Sequence, residues 1–313
     1  EKYGSGVVMY GDSAPEKVES IPTGCYALDR VLGCGGLPRG RIIELYGEPS
    51  SGKTATTLFL IAQIQKRGGR CAFIDAEHSF NAEWASTIGV NVKDLFFSQP
   101  TTLEEGMDIL RTLVNTGDFD LVVIDSVAGL TPKAEVEGKD MLAEQQMAMK
   151  AKLMAKALRI MTGEVSRSKT IVIFINHLQE KIGKFWGEST TTPGGKMLKF
   201  VASIRLSASK GLKIEGPNET QIGNLVTVRA TKNKVAPPYG SGTYYLYYKT
   251  GVDLSADIFD EGVFRGIIEK TGNTYSYEDK KLGVGRDAAL KTLKTSEISD
   301  EIRAKLEHDY DKQ

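Results

Sequence analysis

Cysteine is scarce: Cys25, Cys34 and Cys71 are the only three in 313 residues, and their spacing suits no metal. An odd, sparse set excludes a disulfide scaffold and fits a reducing, cytoplasmic compartment. No stretch approaches the ~18 apolar residues of a membrane span, so no membrane partner is expected. No charged-then-apolar leader follows Glu1. Excess charge is missing too, because 40 basic residues balance 40 acidic ones. Nucleic-acid-binding domains usually carry a global basic excess, so the total alone argues against such a partner. Internal repeats and low-complexity segments are also absent.

What remains is ordinary globular material. Hydrophobic residues at 41% and charged residues at 26% exclude collagen-like and disordered classes. The length predicts two domains, or one large and one small. Nearly all-apolar runs at 42–46, 71–74, 121–124, 171–175, 202–206 and 226–229 read as strands covered on both faces. Helical spacing at 54–66, 103–115 and about 141–162 separates the earlier ones. This alternation predicts an α/β fold with a mainly parallel, doubly wound sheet. Beyond Gly251, short helices and a hairpin around 274–282 predict a small α/β C-terminal domain.

Gly47-Glu48-Pro49-Ser50-Ser51-Gly52-Lys53-Thr54 fits G-x-x-x-x-G-K-[ST] between a strand and a helix. Glycines let successive N–H groups point at phosphate oxygens, and the helix adds its positive end. Lys53 is expected to reach the β- and γ-phosphates, and the Thr54 hydroxyl to bind Mg²⁺. The competing reading, a chance glycine turn, is weakened by that strand–helix context. Asp125 ends an apolar strand where a carboxylate can hold Mg²⁺ through water. Asp75 and Glu77 follow another strand at the same edge. Either could be a general base, and Glu77, further into the loop, is better placed to orient a water. The alternative for Glu77 is a solvated loop acid.

The phosphate loop does not stand alone. Gly35-Gly36-Leu37-Pro38-Arg39-Gly40-Arg41-Ile42, Ile74-Asp75-Ala76-Glu77-His78, Ser98-Gln99-Pro100, Asp125-Ser126-Val127-Ala128, Pro132-Lys133-Ala134-Glu135, Phe174-Ile175-Asn176, Gly194-Gly195 and Lys232-Asn233-Lys234 follow in order. With them the chain resembles the bacterial RecA recombinase family, from about Glu1 through at least Tyr277. The resemblance implies a RecA-like P-loop NTPase core at 31–250 and a duplex-binding C-terminal domain at 251–313. It implies ATP and Mg²⁺ as cofactors, and a homo-oligomeric helical filament on single-stranded DNA. That filament searches double-stranded DNA for homology and exchanges strands while hydrolysing ATP. A ring helicase sharing this core, and a nucleotide-binding structural protein, are the other readings.

Carried over residue by residue, the resemblance makes Glu77 the water-activating acid. Asn81 and Trp84 stand where the family has an aspartate and a tyrosine near adenine, and Tyr248 matches a second tyrosine there. For Trp84 the plain alternative is a packed core aromatic. Thr56 is counted with the nucleotide-binding residues. Lys232 and Lys234 match a pair that reaches the neighbouring protomer's ATP, although as sequence they read as a solvated basic turn. His177 departs from a glutamine that senses the γ-phosphate, and histidine as a residue type changes charge near neutral pH.

Two segments match the family's DNA loops. In the second, about 179–196, Lys181 and Lys196 offer phosphate contacts, and Phe185 and Trp186 offer stacking surface. Ile182 matches a wedging residue, and Gly194 and Gly195 offer backbone N–H groups. Gln179 replaces a basic residue. A mobile lid over the nucleotide is the bland reading of that segment. The first, about 137–147, diverges into a methionine-rich helix in which Met147 is the candidate inserting residue. Lys152 and Arg159, on the following helix, match DNA-facing bases, or else form a solvated face. Lys270 and Arg286 match bases that face duplex DNA. They lie in residues 265–294, whose local charge is +3, ahead of a tail at 295–313 with −3. Glu1-Lys2-Tyr3-Gly4 matches only the end of the family's oligomerisation helix, so residues 1–30 are expected to hold its remnant.

Overall fold

The computed structural model describes residues 18–138, 143–180 and 190–311. Strand β1 (Ser20–Ile21) pairs with β2 (Leu37–Pro38) around helix α1 (Tyr26–Leu32). Strands and helices then alternate: β3 (Ile42–Gly47), α2 (Lys53–Lys66), β4 (Cys71–Asp75), α3 (Ala82–Ile88), β5 (Leu95–Ser98), α4 (Leu103–Thr116) and β6 (Leu121–Asp125). After α5 (Lys133–Val136) and α6 (Ala143–Ser168) comes β7 (Ile171–His177). A two-residue ladder joins β8 (Gln179–Glu180) to β9 (Thr190–Thr191), and α7 (Met197–Val201) leads into β10 (Ile204–Glu215), β11 (Gln221–Asn233), β12 (Ser241–Tyr247) and β13 (Gly251–Val252).

Nine strands form one sheet in the order β13-β12-β11-β10-β3-β7-β6-β4-β5. Every pairing from β10 across to β5 is parallel. The three from β10 out to β13 are antiparallel. The all-apolar strands follow from burial on both faces. Ile43, Phe73 and Ile173 pack with α1, α2 and α3 on one side. Ile42, Ile74 and Phe174 pack with α4, α6 and α7 on the other. The doubly wound, mainly parallel sheet is therefore as expected, with an antiparallel extension.

Two strands run well past their apolar stretches. β10 and β11 continue through polar residues such as Lys210, Lys213 and Gln221, because their outer ends form a hairpin paired with itself. Helix α3 and strands β5 and β12 have no counterpart in the sequence reading. The long α6 extends to Ser168, past the expected end near 162.

A separate apolar cluster lies in the C-terminal part. There α8 (Leu254–Phe264), α9 (Arg286–Lys294) and α10 (Ile298–Asp311) cover the antiparallel sheet β14 (Glu269–Thr271), β15 (Thr274–Tyr277) and β16 (Lys280–Val284). The hairpin expected at 274–282 is the β15–β16 pair.

Candidate functional site

The sheet brings its chemistry to one edge, the carboxyl ends of β3, β4, β6 and β7, where α/β folds bind ligands. Gly47 ends β3 and cannot be larger, because a Cβ there would lie 2.1 Å from Ala208 O. The loop then turns through left-handed conformations at Ser50 (φ 59°) and Gly52 (φ 88°) before α2 begins. The first turn of α2 has no acidic residue, so its positive end is not neutralised locally. Lys53 is buried, and its Nζ donates to Gly47 O at 3.1 Å and Glu48 O at 2.8 Å. Burial pulls its pKa below the usual lysine value, and Asp125 and Glu77 oppose that pull. The buried Ser51 hydroxyl has no hydrogen-bond partner among the described residues. A glycine-shaped turn with an unspent hydroxyl, a lysine and a helix N-terminus suits a polyphosphate.

Thr54 Oγ1 donates to Asp125 Oδ2 at 2.6 Å. Burial pushes Asp125 up to about 6, and the Thr54 bond pulls it back. A hydroxyl and a carboxylate already in contact beside a phosphate loop suit a hydrated Mg²⁺. Asp75 and Glu77, close in sequence, divide here. Asp75 is buried and accepts from Ser79 N, Phe80 N and Gln99 Nε2, so it closes its own loop. Glu77 turns the other way: its Oε1 takes the Ser126 hydroxyl and lies 2.8 Å from His177 Nε2. The expected base and the expected sensor therefore touch.

Other expected nucleotide residues lie further out. Asn81 caps α3 by accepting from Trp84 N, while Trp84 packs partly buried against the first core cluster. Tyr248 follows β12, half-exposed and bonded to Gln221 and Asn224; the next strand, β13, packs against α2 and α3. Thr56 needs correcting. Its hydroxyl is spent on Gly52 O and Tyr244 in the core, so it shapes the loop instead of facing a ligand. Lys232 and Lys234 lie back from the loop along the sheet. Lys232 sits opposite Arg205, level with Glu44, three strand positions or roughly 10 Å from the Gly47 end. Both ammonium groups donate to the carbonyls that end α7: Lys232 to Lys199 and Phe200, Lys234 to Phe200. Burial, with Lys234 and Arg205 beside it, lowers Lys232 to about 8.

Family models for the RecA N-terminal domain and the RecA C-terminal domain match residues 1–253 and 256–311. The chain is 46% identical over 311 residues to Protein RecA of Caldanaerobacter subterraneus subsp. tengcongensis, covering 99% of this chain and 90% of that one. Protein RecA of Rubrobacter xylanophilus is 46% identical over 303 residues, at 96% and 87% coverage. That of Clostridium acetobutylicum is 43% identical over 313 residues, at 99% and 89%. The chain belongs to the RecA family. It is accordingly a nucleotide-binding, DNA-dependent ATPase of homologous recombination and repair. No helix among the described residues is long and apolar enough to cross a membrane.

The RecA-type DNA segments are placed unevenly. Lys181, Ile182, Phe185 and Trp186 lie outside the described residues. Gln179 is exposed where β8 and β9 close the base of the second segment. Gly194 (φ 86°) and Gly195 (φ 80°) do more than present N–H groups: added Cβ atoms would lie 2.7 Å from Val127 and 2.9 Å from Ala151. They let the end of that segment press on the turn after β6 and on α6. Lys196, exposed, precedes α7. On α6, Met147 is 71% exposed, and Lys152 and Arg159 share the exposed face, Arg159 also donating to Ala155 O. Lys270 is exposed on β14, its ammonium 5.5 Å from the Tyr275 ring.

Arg286, also expected to face duplex DNA, has partners within the chain. Its guanidinium pairs with Asp260 at 2.7 and 3.1 Å and stacks 4.5 Å from the Tyr245 ring, so it ties the C-terminal domain to the core sheet. Two residues escaped the sequence reading. Lys150 donates to Ala128 O at 2.9 Å. Glu44, fully buried, takes Arg205 Nε at 2.6 Å and Asn176 Nδ2 at 3.0 Å. Glu44 does sit inside an apolar strand, which is a signal of a buried acid with a partner.

Proposed function

We propose that this chain works in the cytoplasm as a helical filament on single-stranded DNA, captures double-stranded DNA and exchanges homologous strands, hydrolysing ATP at sites shared between protomers. The carrying observation is the separation of the machinery along one sheet. Gly47–Thr54, Asp125, Glu77 and His177 stand at its carboxyl edge, while Lys232 lies three strand positions back from Gly47 and, with Lys234, is bonded to the end of α7. A protomer that holds ATP thus needs a second protomer to supply its lysines. That is the logic of a cation delivered across an interface onto developing γ-phosphate charge.

In this reading Glu48, Pro49, Ser50, Ser51 and Gly52 wrap the phosphates with backbone N–H groups, and Lys53 leaves its loop carbonyls for the β- and γ-oxygens. Thr54 and Asp125 hold Mg²⁺, which supplies charge neutralisation on the phosphates. Glu77 orients and deprotonates the attacking water, with Ser126 and His177 fixing its carboxylate. Asn81, Trp84 and Tyr248 bound the adenine. Met147, Lys152, Arg159, Gln179, Lys196 and the 181–186 segment hold the single strand, and Lys270 meets the duplex.

Electron microscopy of the chain with single-stranded DNA, with and without a slowly hydrolysed ATP analogue, tests this beside a strand-exchange assay. Helical filaments that need the nucleotide, and exchange between homologous strands, are expected. Closed rings that unwind a forked duplex without homology would replace this reading with a motor.

A further inference from the structure

The turn after β6 touches the nucleotide site on one side and the DNA-facing segments on the other. Ser126 donates to Glu77, and Gly129 lies so close that an added Cβ would sit 2.5 Å from Ala76 O and 3.2 Å from Glu77 Cγ. Any shift of this turn therefore moves the base. Its far side is held from two directions. Lys150, in the third turn of α6, donates from Nζ to Ala128 O at 2.9 Å. Gly194 presses on Val127, and Gly195 presses on Ala151, the residue after Lys150.

Lys150 differs in kind from Lys152, Lys156 and Arg159 on the same helix. Those three are exposed, as basic residues awaiting phosphates would be. Lys150 is partly buried, and burial lowers its pKa against the opposing charge of Glu135. An ammonium is a strongly hydrated point charge, so holding one in a partly dry site against a backbone carbonyl fixes that carbonyl.

We propose that Lys150 is a positioning residue for ATP hydrolysis: it clamps the Ala128 carbonyl to α6, so that placement of α6 by DNA sets the 126–129 turn and, through it, the Glu77 carboxylate. This rests on the reading of Glu77 as base and α6 as DNA-facing. It adds a path from the first DNA segment to the base that does not pass through His177.

The full chain is assayed for ATP hydrolysis with and without single-stranded DNA, beside DNA binding and binding of a fluorescent ATP analogue. Lys150→Met keeps the stem and removes the donor. Its DNA-stimulated kcat should fall about tenfold or more, while KM for ATP, DNA affinity and the DNA-free rate stay within about twofold. Lys150→Arg restores a charged donor and should recover at least about half of the stimulation. Stimulation of Lys150→Met within about twofold of the parent overturns the proposal. A parallel loss of the DNA-free rate or of DNA binding overturns it too, since Lys150 would then be a packing residue or a DNA contact. Should the methionine variant not fold, Lys150→Gln takes its place, with partial stimulation expected and full stimulation overturning. A parent chain that DNA does not stimulate would remove the functional reading, and this proposal with it.

Discussion

Glu77 gathers the Ser126 hydroxyl and the His177 ring on one carboxylate oxygen. Glu77→Gln preserves that shape and removes the proton acceptor. Steady-state hydrolysis with single-stranded DNA should drop about a hundredfold or more, with nucleotide and DNA affinity nearly unchanged. Turnover at the parent rate would assign the base elsewhere. A second residue carries its own pH signature. Asp29 is buried on α1, accepts from Thr23 N, and burial pushes its pKa from 3.8 to about 7. A carboxyl raised in this way binds its proton in the folded chain at a pH where the unfolded chain has lost it. Its contribution favours folding at low pH and is lost as pH rises through about 4 to 7, leaving a buried charge above that window. Asp29→Asn keeps an acceptor for Thr23 and removes the charge. The variant should gain stability over the parent on the order of 4 kcal/mol at pH 8, with little difference at pH 4, in chemical unfolding curves. An equal difference at both values would place the effect outside this ionisation.

Asp257 shows one element completing another. The seven-residue α1 has no side-chain cap of its own at Cys25. Instead Asp257 of α8 accepts from Tyr26 N at 2.6 Å, Ala27 N at 3.0 Å and Cys25 Sγ at 3.4 Å. Arg30–Glu261, at 2.6 Å, extends the same contact. Asp257→Ala leaves two helix N–H groups without their acceptor, which should cost about 1–3 kcal/mol in urea unfolding. Proteolysis should open first near α1; unchanged stability and cleavage would mean that water replaces the cap. This contact was invisible in sequence, because its partners are 230 residues apart. The legible parts are those whose demands are local. Strands β4, β6 and β7 are apolar up to their carboxyl ends because both faces are covered, and the phosphate loop spells out its glycines, lysine and threonine. Strand β12 was missed because the core strands legible in sequence are apolar runs, whereas Ser241–Tyr247, just after Pro237-Pro238, opens on Ser-Gly-Thr and alternates exposed and buried positions, a strand signal of a different kind. The partners of Arg286 were hidden in the same way as those of Asp257: a base in a basic stretch shows no sign of Asp260 and Tyr245 until the fold places them beside it.

For the whole molecule, zero net charge first argued against nucleic acid, yet the family binds it. The charges are sorted by place: acids line the nucleotide edge, while exposed bases stand on α6 and in residues 265–294. Grip on DNA then depends on how protomers array these segments more than on bulk attraction. The same separation sets Glu77 apart from Lys232 along the sheet, and the proposed shared site takes one from each of two protomers. Two inactive variants should therefore rescue each other. In a mixture of Lys232→Ala with Glu77→Gln, a site works when a protomer with intact Glu77 meets a neighbour with intact Lys232. Random head-to-tail assembly of equal amounts makes that pairing at about a quarter of interfaces, so hydrolysis should return to about a quarter of the parent rate. Each variant alone should stay near background at every concentration. If the mixture also stays there while filaments form, Lys232 acts within its own protomer or not in hydrolysis at all. If Lys232→Ala alone keeps the parent rate, the shared site is ruled out directly.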